Sequence, residues 1–281
     1  MIRIAVPNKG SLAEASAAML KEAGYTTRRD AKELVLADTE HGVEFFYLRP
    51  RDIAVYVGSG TLDAGITGRD LLKDSGNGAV EVMSLGFAAS TFRFAARPGT
   101  ATCVADLAGQ RVATSYARLV QDYLAARDVK AQVVRLDGAV ETAITLGVAD
   151  VIADVVETGT TLRMQGLDVF GEPLLRSEAL LIARADTERT VELELVTHRL
   201  QGVVTARTYV MMDYDVRAEL VEEACTITPG LESPTVSPLH REGWVAVRAM
   251  VPRKGMNAVM DRLYSLGARG ILVTDIAACR L

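Results

Sequence analysis

The sequence predicts an α/β protein of two similar lobes followed by a ferredoxin-like βαββαβ module. Three observations carry this. Short β-branched runs alternate with helical patterns through most of the chain, the mark of parallel sheets covered by helices on both faces. The segments "GTLDAGITG" (60–68) and "GVADVIADV" (147–155) echo each other, each running Gly-x-x-Asp into an apolar strand just after a helix. After a long amphipathic helix (186–206) comes the order strand, helix, strand, strand, helix, strand.

Taken in order, "IRIAV" (2–6) reads as a strand, and "SLAEASAAMLKEAGY" (11–25) as a helix closing at Gly24. "VEFFYLRP" (43–50) is a strand stopped by Pro50, "RDIAVYVGSG" a short helix, and "DAGITG" (63–68) a strand. "VMSLGF" (82–87) and "TFRFAAR" (91–97) complete the first block. The second block reads strand 111–115, helix 117–128, strand 132–136, helix 138–147 and strand 149–156. In the last module the strands are 208–213, 234–239, 244–251 and 270–276, with helices over 216–225 and 255–266.

Composition excludes several classes. Of 281 residues, 49% are hydrophobic and 24% charged, as in ordinary globular proteins. A net charge of −5 argues against a general binder of nucleic acid or anionic membrane, which needs clustered Lys and Arg. The opening "MIRIAVPNKGSL" is too short for a signal sequence, and no apolar run reaches the roughly 20 residues that span a bilayer. Cys103, Cys225 and Cys279 lack metal or redox spacing and read as reduced thiols of a cytoplasmic protein. His41, His198 and His240 have no catalytic surroundings in the sequence and are expected at the surface.

Chemistry concentrates at strand ends. In "ADVVETGTTL" (153–162) a buried strand hands over to a helix whose first amides lack partners and whose dipole is positive. Gly159 lets the backbone approach a ligand, and Thr158, Thr160 and Thr161 add hydroxyls, which together make an anion seat suited to phosphate. Thr160 or Thr161 can equally serve as a plain helix cap. Asp154 and Glu157 stand beside the seat, fit to accept bonds from sugar hydroxyls or to hold the water shell of a Mg²⁺ ion. In "VPNKGSL" (6–12), Ser11 can cap a helix and Lys9 can meet a phosphate as a point charge. In "YLRPRDIAVYVGSGTLDAGITGRDLL" (47–72), Arg49, Arg51, Asp52, Arg69 and Asp70 gather at carboxyl ends of strands, where α/β clefts bind ligands. Asp137 and Glu141 flank a helix start in "RLDGAVETAI" (135–144).

The "ADVVETGTTL" loop resembles the phosphoribosyl-diphosphate loop of phosphoribosyltransferases. Together with "VPNKGSL", "FFYLRPRDIAVYVGSGTLDAGITGRD", "RLDGAVE", "TPGLESPTVSPL" and "WVAVRAMVP", it makes the chain resemble the long form of ATP phosphoribosyltransferase from residue 2 to the C-terminus. The resemblance implies two catalytic lobes of the periplasmic-binding-protein kind, with lobe I over 1–90 plus about 177–206 and lobe II over 91–176. It places a regulatory, histidine-binding domain over 207–281. It implies transfer of phosphoribosyl from phosphoribosyl diphosphate to N1 of ATP, the first step of histidine biosynthesis. Mg²⁺ is expected mainly through the diphosphate, with no certain protein ligand. Histidine inhibition and homo-oligomers, dimer and hexamer, come with the family. By position, Asp154, Val155, Val156, Glu157, Thr158, Gly159, Thr160 and Thr161 would cradle the 5-phosphate and ribose. Lys9, Arg49, Arg51, Arg69 and Asp70 would line the facing lobe, with Glu141 on the sugar or adenine side. Lys9, Arg49, Arg51 and Asp154 are the catalytic expectation, and Asp215, Thr235 and Gly270 the histidine site. Two departures stand out: Arg51 where the family often has Lys, and Ala117-Arg118 where it usually has Pro-Asn, which predicts a looser turn there. Rival readings are a base-using phosphoribosyltransferase, which usually carries two adjacent acids where Ala153 precedes Asp154, and a non-catalytic bilobal sensor.

Overall fold

The computed structural model describes residues 1–28, 30, 32–156, 159–185 and 190–280. It contains two compact units, Met1–Lys21 with Tyr25–Thr197, and Glu22–Gly24 with His198–Leu281. In the first unit the chain runs β1 (Ile2–Pro7), α1 (Ser11–Glu22), β2 (Val35–Asp38), β3 (Val43–Leu48), α2 (Pro50–Gly58), β4 (Ala64–Gly68), α3 (Arg69–Ser75) and β5 (Ala79–Ser84). It continues through β6 (Ser90–Ala96), β7 (Arg111–Thr114), α4 (Ala117–Ala125), β8 (Gln132–Arg135), α5 (Thr142–Thr145), β9 (Val151–Val156), α6 (Thr160–Met164), β10 (Asp168–Ser177) and β11 (Ala179–Arg184). Helix α7 (Val191–Thr208) leads into β12 (Tyr209–Arg217), α8 (Val221–Ile227), β13 (Thr235–Pro238), β14 (Trp244–Pro252), α9 (Met256–Leu266) and β15 (Arg269–Asp275).

Two sheets make the two lobes expected. Their orders are β2-β3-β1-β4-β11-β5 and β10-β6-β9-β7-β8. Each is built on three parallel strands, β3-β1-β4 in lobe I and β8-β7-β9 in lobe II. Each is then extended by two antiparallel strands, β11 and β5 or β6 and β10. The fourth strand of each lobe follows the fifth strand of the other, so the chain crosses between lobes twice. The crossovers are stitched together where Leu85 N donates to Ala179 O and Ala179 N donates to Phe87 O, both at 2.9 Å.

The internal echo has a physical basis. Asp63 donates its amide to Arg3 O at 3.0 Å, and its carboxylate accepts from Arg3 N at 2.7 Å. Asp150 repeats this at Arg111, with its amide to Arg111 O at 2.9 Å and its carboxylate accepting from Arg111 N at 3.0 Å. In both lobes the acid thus fixes where the third parallel strand meets the first, aligning Ile4 with Ala64 and Val112 with Val151.

Several elements differ from the sequence expectation. The sheets are mixed rather than all parallel, because the returning segment 168–184 supplies β10 and β11, which its pattern does not announce. Strand β3 stops at Leu48 because Arg49 is already the extended cap of α2 and Pro50 its first residue. The helix expected over 138–147 shrinks to α5, since Gly138 and Ala139 both have positive φ, 95° and 48°. His41 is half-buried rather than loose at the surface, its Nδ1 lying 2.9 Å from Asp38 Oδ1; His198 and His240 are exposed. Residues 186–189 of the predicted long helix lie outside the described residues, and α7 itself begins at Val191.

The second unit holds a four-stranded antiparallel sheet in the order β13-β14-β12-β15, the ferredoxin-like arrangement. Val210, Met212, Tyr214 and Val216 alternate along one face of β12 and pack with Ala224 of α8 and Leu263 of α9. Tyr214 meets the Thr228 hydroxyl at 2.7 Å, so the buried phenol is satisfied. The helix expected over 216–225 begins only at Val221: β12 runs on to Arg217, paired with the long β14 up to Trp244, and a 3-10 turn follows. Among the described residues no helix is long and apolar enough to cross a membrane.

Helix α2 is seated through Ile53, Ala54 and Val57 on β4, where Gly65 leaves room for them. A Cβ at Gly65 would stand 2.5 Å from Ile53 Cγ2 and 3.1 Å from Ala5 Cβ. Gly65→Ala is therefore expected to overpack this seam and cost about 1–3 kcal/mol. The reading is a lower urea midpoint at unchanged m-value; an unchanged midpoint would show that α2 yields freely.

Candidate active site

Parallel strands deliver the chain to the same edge of their sheet, so the helices that follow all start there. In lobe I the steps are β1 to α1, β3 to α2 and β4 to α3; in lobe II they are β7 to α4, β8 to α5 and β9 to α6. A cleft of about 740 Å³ lies between these edges, with Lys9, Arg49, Arg51 and Asp70 on one wall and Tyr116 and Asp154 on the other. Its charge pattern is cations and amide ends facing the half-buried carboxylate of Asp154.

Each wall is held by local chemistry. The loop carrying Lys9 is tied where Asn8 N donates to Leu48 O at 2.8 Å, and it turns through Gly10 at φ 78°. The start of α2 is fixed by the Thr67 hydroxyl, which donates to Pro50 O at 2.9 Å, and this sets Arg49 and Arg51 at the cleft. Arg51 Nη1 donates to Asp74 Oδ2 at 3.0 Å, and its guanidinium lies 4.8 Å from the Tyr116 ring centroid. On the facing wall the turn before α4 is not loose despite lacking proline. The Thr114 hydroxyl accepts the Tyr116 amide at 3.0 Å and the Ser115 hydroxyl accepts the Gly138 amide at 3.2 Å.

Two carboxyls stand here, Asp70 buried and Asp154 half-buried. Asp70 is 7% exposed, accepts from the Ser177 hydroxyl at 2.8 Å, and gives its own amide to the same hydroxyl at 3.1 Å. Gly68 is required beside it, because a Cβ there would collide with the Asp70 carboxylate as it folds back over the backbone. Asp154 lies at the end of β9, accepting from Val155 N at 2.8 Å. Burial raises its pKa, and the nearby Glu141 and Asp70 carboxylates raise it further against the pull of Arg51. The Tyr116 phenol is held far above its ordinary pKa by burial and by Asp70, so it stays a neutral donor.

The remaining expected site residues divide. Val155 lines the cleft with Asp154; Val156 follows it, half-buried. Gly159 takes the left-handed conformation, φ 71°, as the cap of α6, a role that demands glycine; Thr160 and Thr161 are exposed on its first turn. Glu157 and Thr158 lie outside the described residues. Glu141 caps α5, half-buried and close enough to act on Asp154. Arg69 turns away from the cleft walls to the crossovers. Its guanidinium pairs with Glu81 at 2.8 Å and Glu178 at 3.1 Å and donates to Arg176 O at 3.3 Å. In the second unit Asp215 and Gly270 meet on the helix-free face of the sheet; a Cβ on Gly270 would come 3.6 Å from Asp215 Oδ2. Thr235 lies on the same face but in the row of Arg248 and Asp213. Among the described residues no group of three or more His, Cys, Asp or Glu side chains is gathered to hold a metal. Tyr116, Ser177 and Asp74 were not legible as site residues, since each depends on a partner distant in sequence.

Comparison with known proteins identifies the family. The model of the family described as ATP phosphoribosyltransferase matches residues 49–202, and that of "HisG, C-terminal domain" matches 206–278. The ATP phosphoribosyltransferase of Streptomyces avermitilis is 65% identical over 285 residues, covering 100% of both chains. That of Arthrobacter sp. (strain FB24) is 62% identical over 286 residues, again covering 100% of both. The chain belongs to the ATP phosphoribosyltransferase family. Its members open histidine biosynthesis, and this chain is a transferase of that step. A solved ATP phosphoribosyl transferase (HisG:HisZ) complex from Thermotoga maritima matches at TM-score 0.63 and 25% identity, over 73% of this chain and 98% of that one.

The raised pKa of Asp154 has a consequence for stability. A carboxyl whose folded pKa exceeds its unfolded value destabilises the fold when ionised, and the penalty is complete above the folded pKa and absent below about 3.9. Asp154→Asn keeps the acceptor for Val155 N and removes the charge. It is expected to raise the thermal midpoint of the ligand-free protein at neutral pH, with the gain shrinking as pH falls towards 4. An equal midpoint at every pH would show that the burial carries no cost.

Proposed function

We propose that the cleft of the first unit transfers the phosphoribosyl group of phosphoribosyl diphosphate to N1 of ATP, releasing diphosphate. The observation that carries this is the convergence of six strand-to-helix steps, Lys9, Arg49 and Arg51 on a cleft of about 740 Å³ that also holds Asp154. Adenine N1 carries a free lone pair at neutral pH, so no general base is needed. The difficult event is cleavage of the bond from the anomeric carbon to diphosphate. Positive charge then builds on the ribose and negative charge on the leaving group, so alignment and cations supply the catalysis.

In this reading Lys9, Arg49 and Arg51 meet the diphosphate or triphosphate oxygens. Asp154, with Glu157 three residues further along the sequence, accepts the ribose hydroxyls. The amides at Gly159, Thr160 and Thr161, with Thr158, Val155 and Val156, seat the 5-phosphate. Mg²⁺ fits these residues as a substrate-borne ion: it takes few protein carboxylates and many phosphate and water oxygens, and Asp154 would face its outer shell. When bound, it neutralises charge on the diphosphate. Asp70 and Tyr116 shape the wall, with Tyr116 as a neutral hydrogen-bond donor. Arg69 belongs to the crossovers, where it sets how the lobes meet.

The same reading assigns histidine feedback to the second unit, with Asp215 and Gly270 adjacent on its open face and Thr235 at the edge strand. Homo-oligomers, dimer and hexamer, in the cytoplasm complete it; the free thiols Cys103, Cys225 and Cys279 agree with a reducing compartment.

Incubation with ATP, phosphoribosyl diphosphate and Mg²⁺ is expected to yield diphosphate and N1-ribosylated ATP in equal amounts, less of both when histidine is added. Diphosphate without the adduct, or no turnover, would overturn the reading. Arg49→Ala and Asp154→Asn are each expected to lower kcat/KM about 100-fold, the scale of losing one preorganised electrostatic contact. Wild-type steady-state constants for either variant would remove that residue from the site.

A further inference from the structure

The contact between α3 of lobe I and α4 of lobe II contains a carboxylate that neither wall of the cleft explains. Asp74 stands in the last turn of α3, its side chain only 13% exposed. One oxygen accepts from Arg51 Nη1 at 3.0 Å, and the other accepts from the backbone N–H of Leu119 at 3.2 Å. Leu119 is the third residue of α4, whose own cap, Tyr116, supplies no side-chain hydrogen bond. A helix start needs such an acceptor for its early amides. Here it comes from the opposite lobe.

The neighbouring residues complete the docking. The Arg118 guanidinium covers Gly76, the left-handed residue that ends α3, so close that a Cβ at that position would overlap it. A cation thus lies at the carbonyl end of α3 and an anion at the amide end of α4, the favourable sense for both helix ends. Arg51, held by Asp74 on one edge, presents its face to the Tyr116 ring at 4.8 Å, and Tyr116 packs edge-on against Phe92 at 5.0 Å. One carboxylate therefore fixes a cleft cation in lobe I and the start of a cleft helix in lobe II.

We infer that Asp74 is a positioning residue: it holds Arg51 in the orientation used for the anionic substrate and does so together with lobe closure, because its second bond exists only when α3 and α4 meet. This rests on the proposed role of Arg51. Opening the lobes removes the Leu119 contact and leaves Asp74 to Arg51 alone; closing them sets the guanidinium against Tyr116.

A four-member cycle tests it: full-length wild type, Arg51→Ala, Asp74→Asn and the double variant, each assayed for kcat and both KM values with ATP, phosphoribosyl diphosphate and Mg²⁺. Asp74→Asn keeps an oxygen for Leu119 N–H and removes the charge opposite Arg51. It is expected to lower kcat/KM about tenfold in the wild-type background and less than about twofold when Arg51 is already alanine. Multiplying losses, or full activity of Asp74→Asn beside a damaged Arg51→Ala, would overturn the inference and leave the reaction assignment standing. No effect of Arg51→Ala would instead remove Arg51 from the reaction, and the inference with it. Asp74→Ser serves the same cycle if the asparagine variant does not fold. Independently, amide exchange at Leu119 in the ligand-free protein should be faster in Asp74→Ala and near wild type in Asp74→Asn; equal rates in all three would show that no cross-lobe cap exists.

Discussion

The structure depends on one constraint: a parallel strand must hand over to a helix at its carboxyl end, and it leaves unpaired amides there. Each lobe contains three such steps beside one another, and the two sets face across one cleft. The cations at that edge are displayed on this frame. Lys9, Arg49 and Arg51 sit within a few residues of strand ends because the loops there are short and turn under local control, by Gly10, Pro50 and the Thr67 hydroxyl. In the proposed reaction, affinity for anions is thus a property of the backbone first and of the arginines second.

Opposed to this cationic rim is a carboxylate kept where it does not want to be. Asp154 is half-buried, has other acids near it, and gains one backbone amide in return. Such a group raises the free energy of the empty protein and recovers the cost only when hydroxyls or a cation arrive. Asp70 solves the same problem differently, by sharing a hydroxyl and an amide with Ser177 at the crossover. The two acids face one space, but one is satisfied from within and the other is left for a ligand.

Much of this was legible in the sequence, where local chemistry sets the outcome. The Gly-x-x-Asp echo marked two equivalent strands because Asp63 and Asp150 do the same work on Arg3 and Arg111. Pro50 and Gly159 announced their turns, since proline and glycine act on their own backbone. What escaped was non-local. Arg69 reads as a cleft cation until the crossovers bring Glu81 and Glu178 to it. Strand β11 carries no clear period because it is buried on both faces between β4 and β5, and β10 because its pairing with β6 shifts register between Phe170 and Leu175. The boundary between β12 and α8 was misplaced because β12 takes its length from β14, its cross-strand partner, rather than from its own residues.

The exchanged fourth strands have an outcome for biogenesis. Lobe II is one continuous stretch of chain, whereas lobe I pairs Ile66 of β4 with Leu181 of β11. As the polypeptide leaves the ribosome, lobe II can therefore finish its sheet while β4 and β5 still wait, their inner edges bare. Those apolar edges are sticky for as long as translation takes to reach β11, so the nascent chain is most exposed to mispairing in the half that emerges earliest.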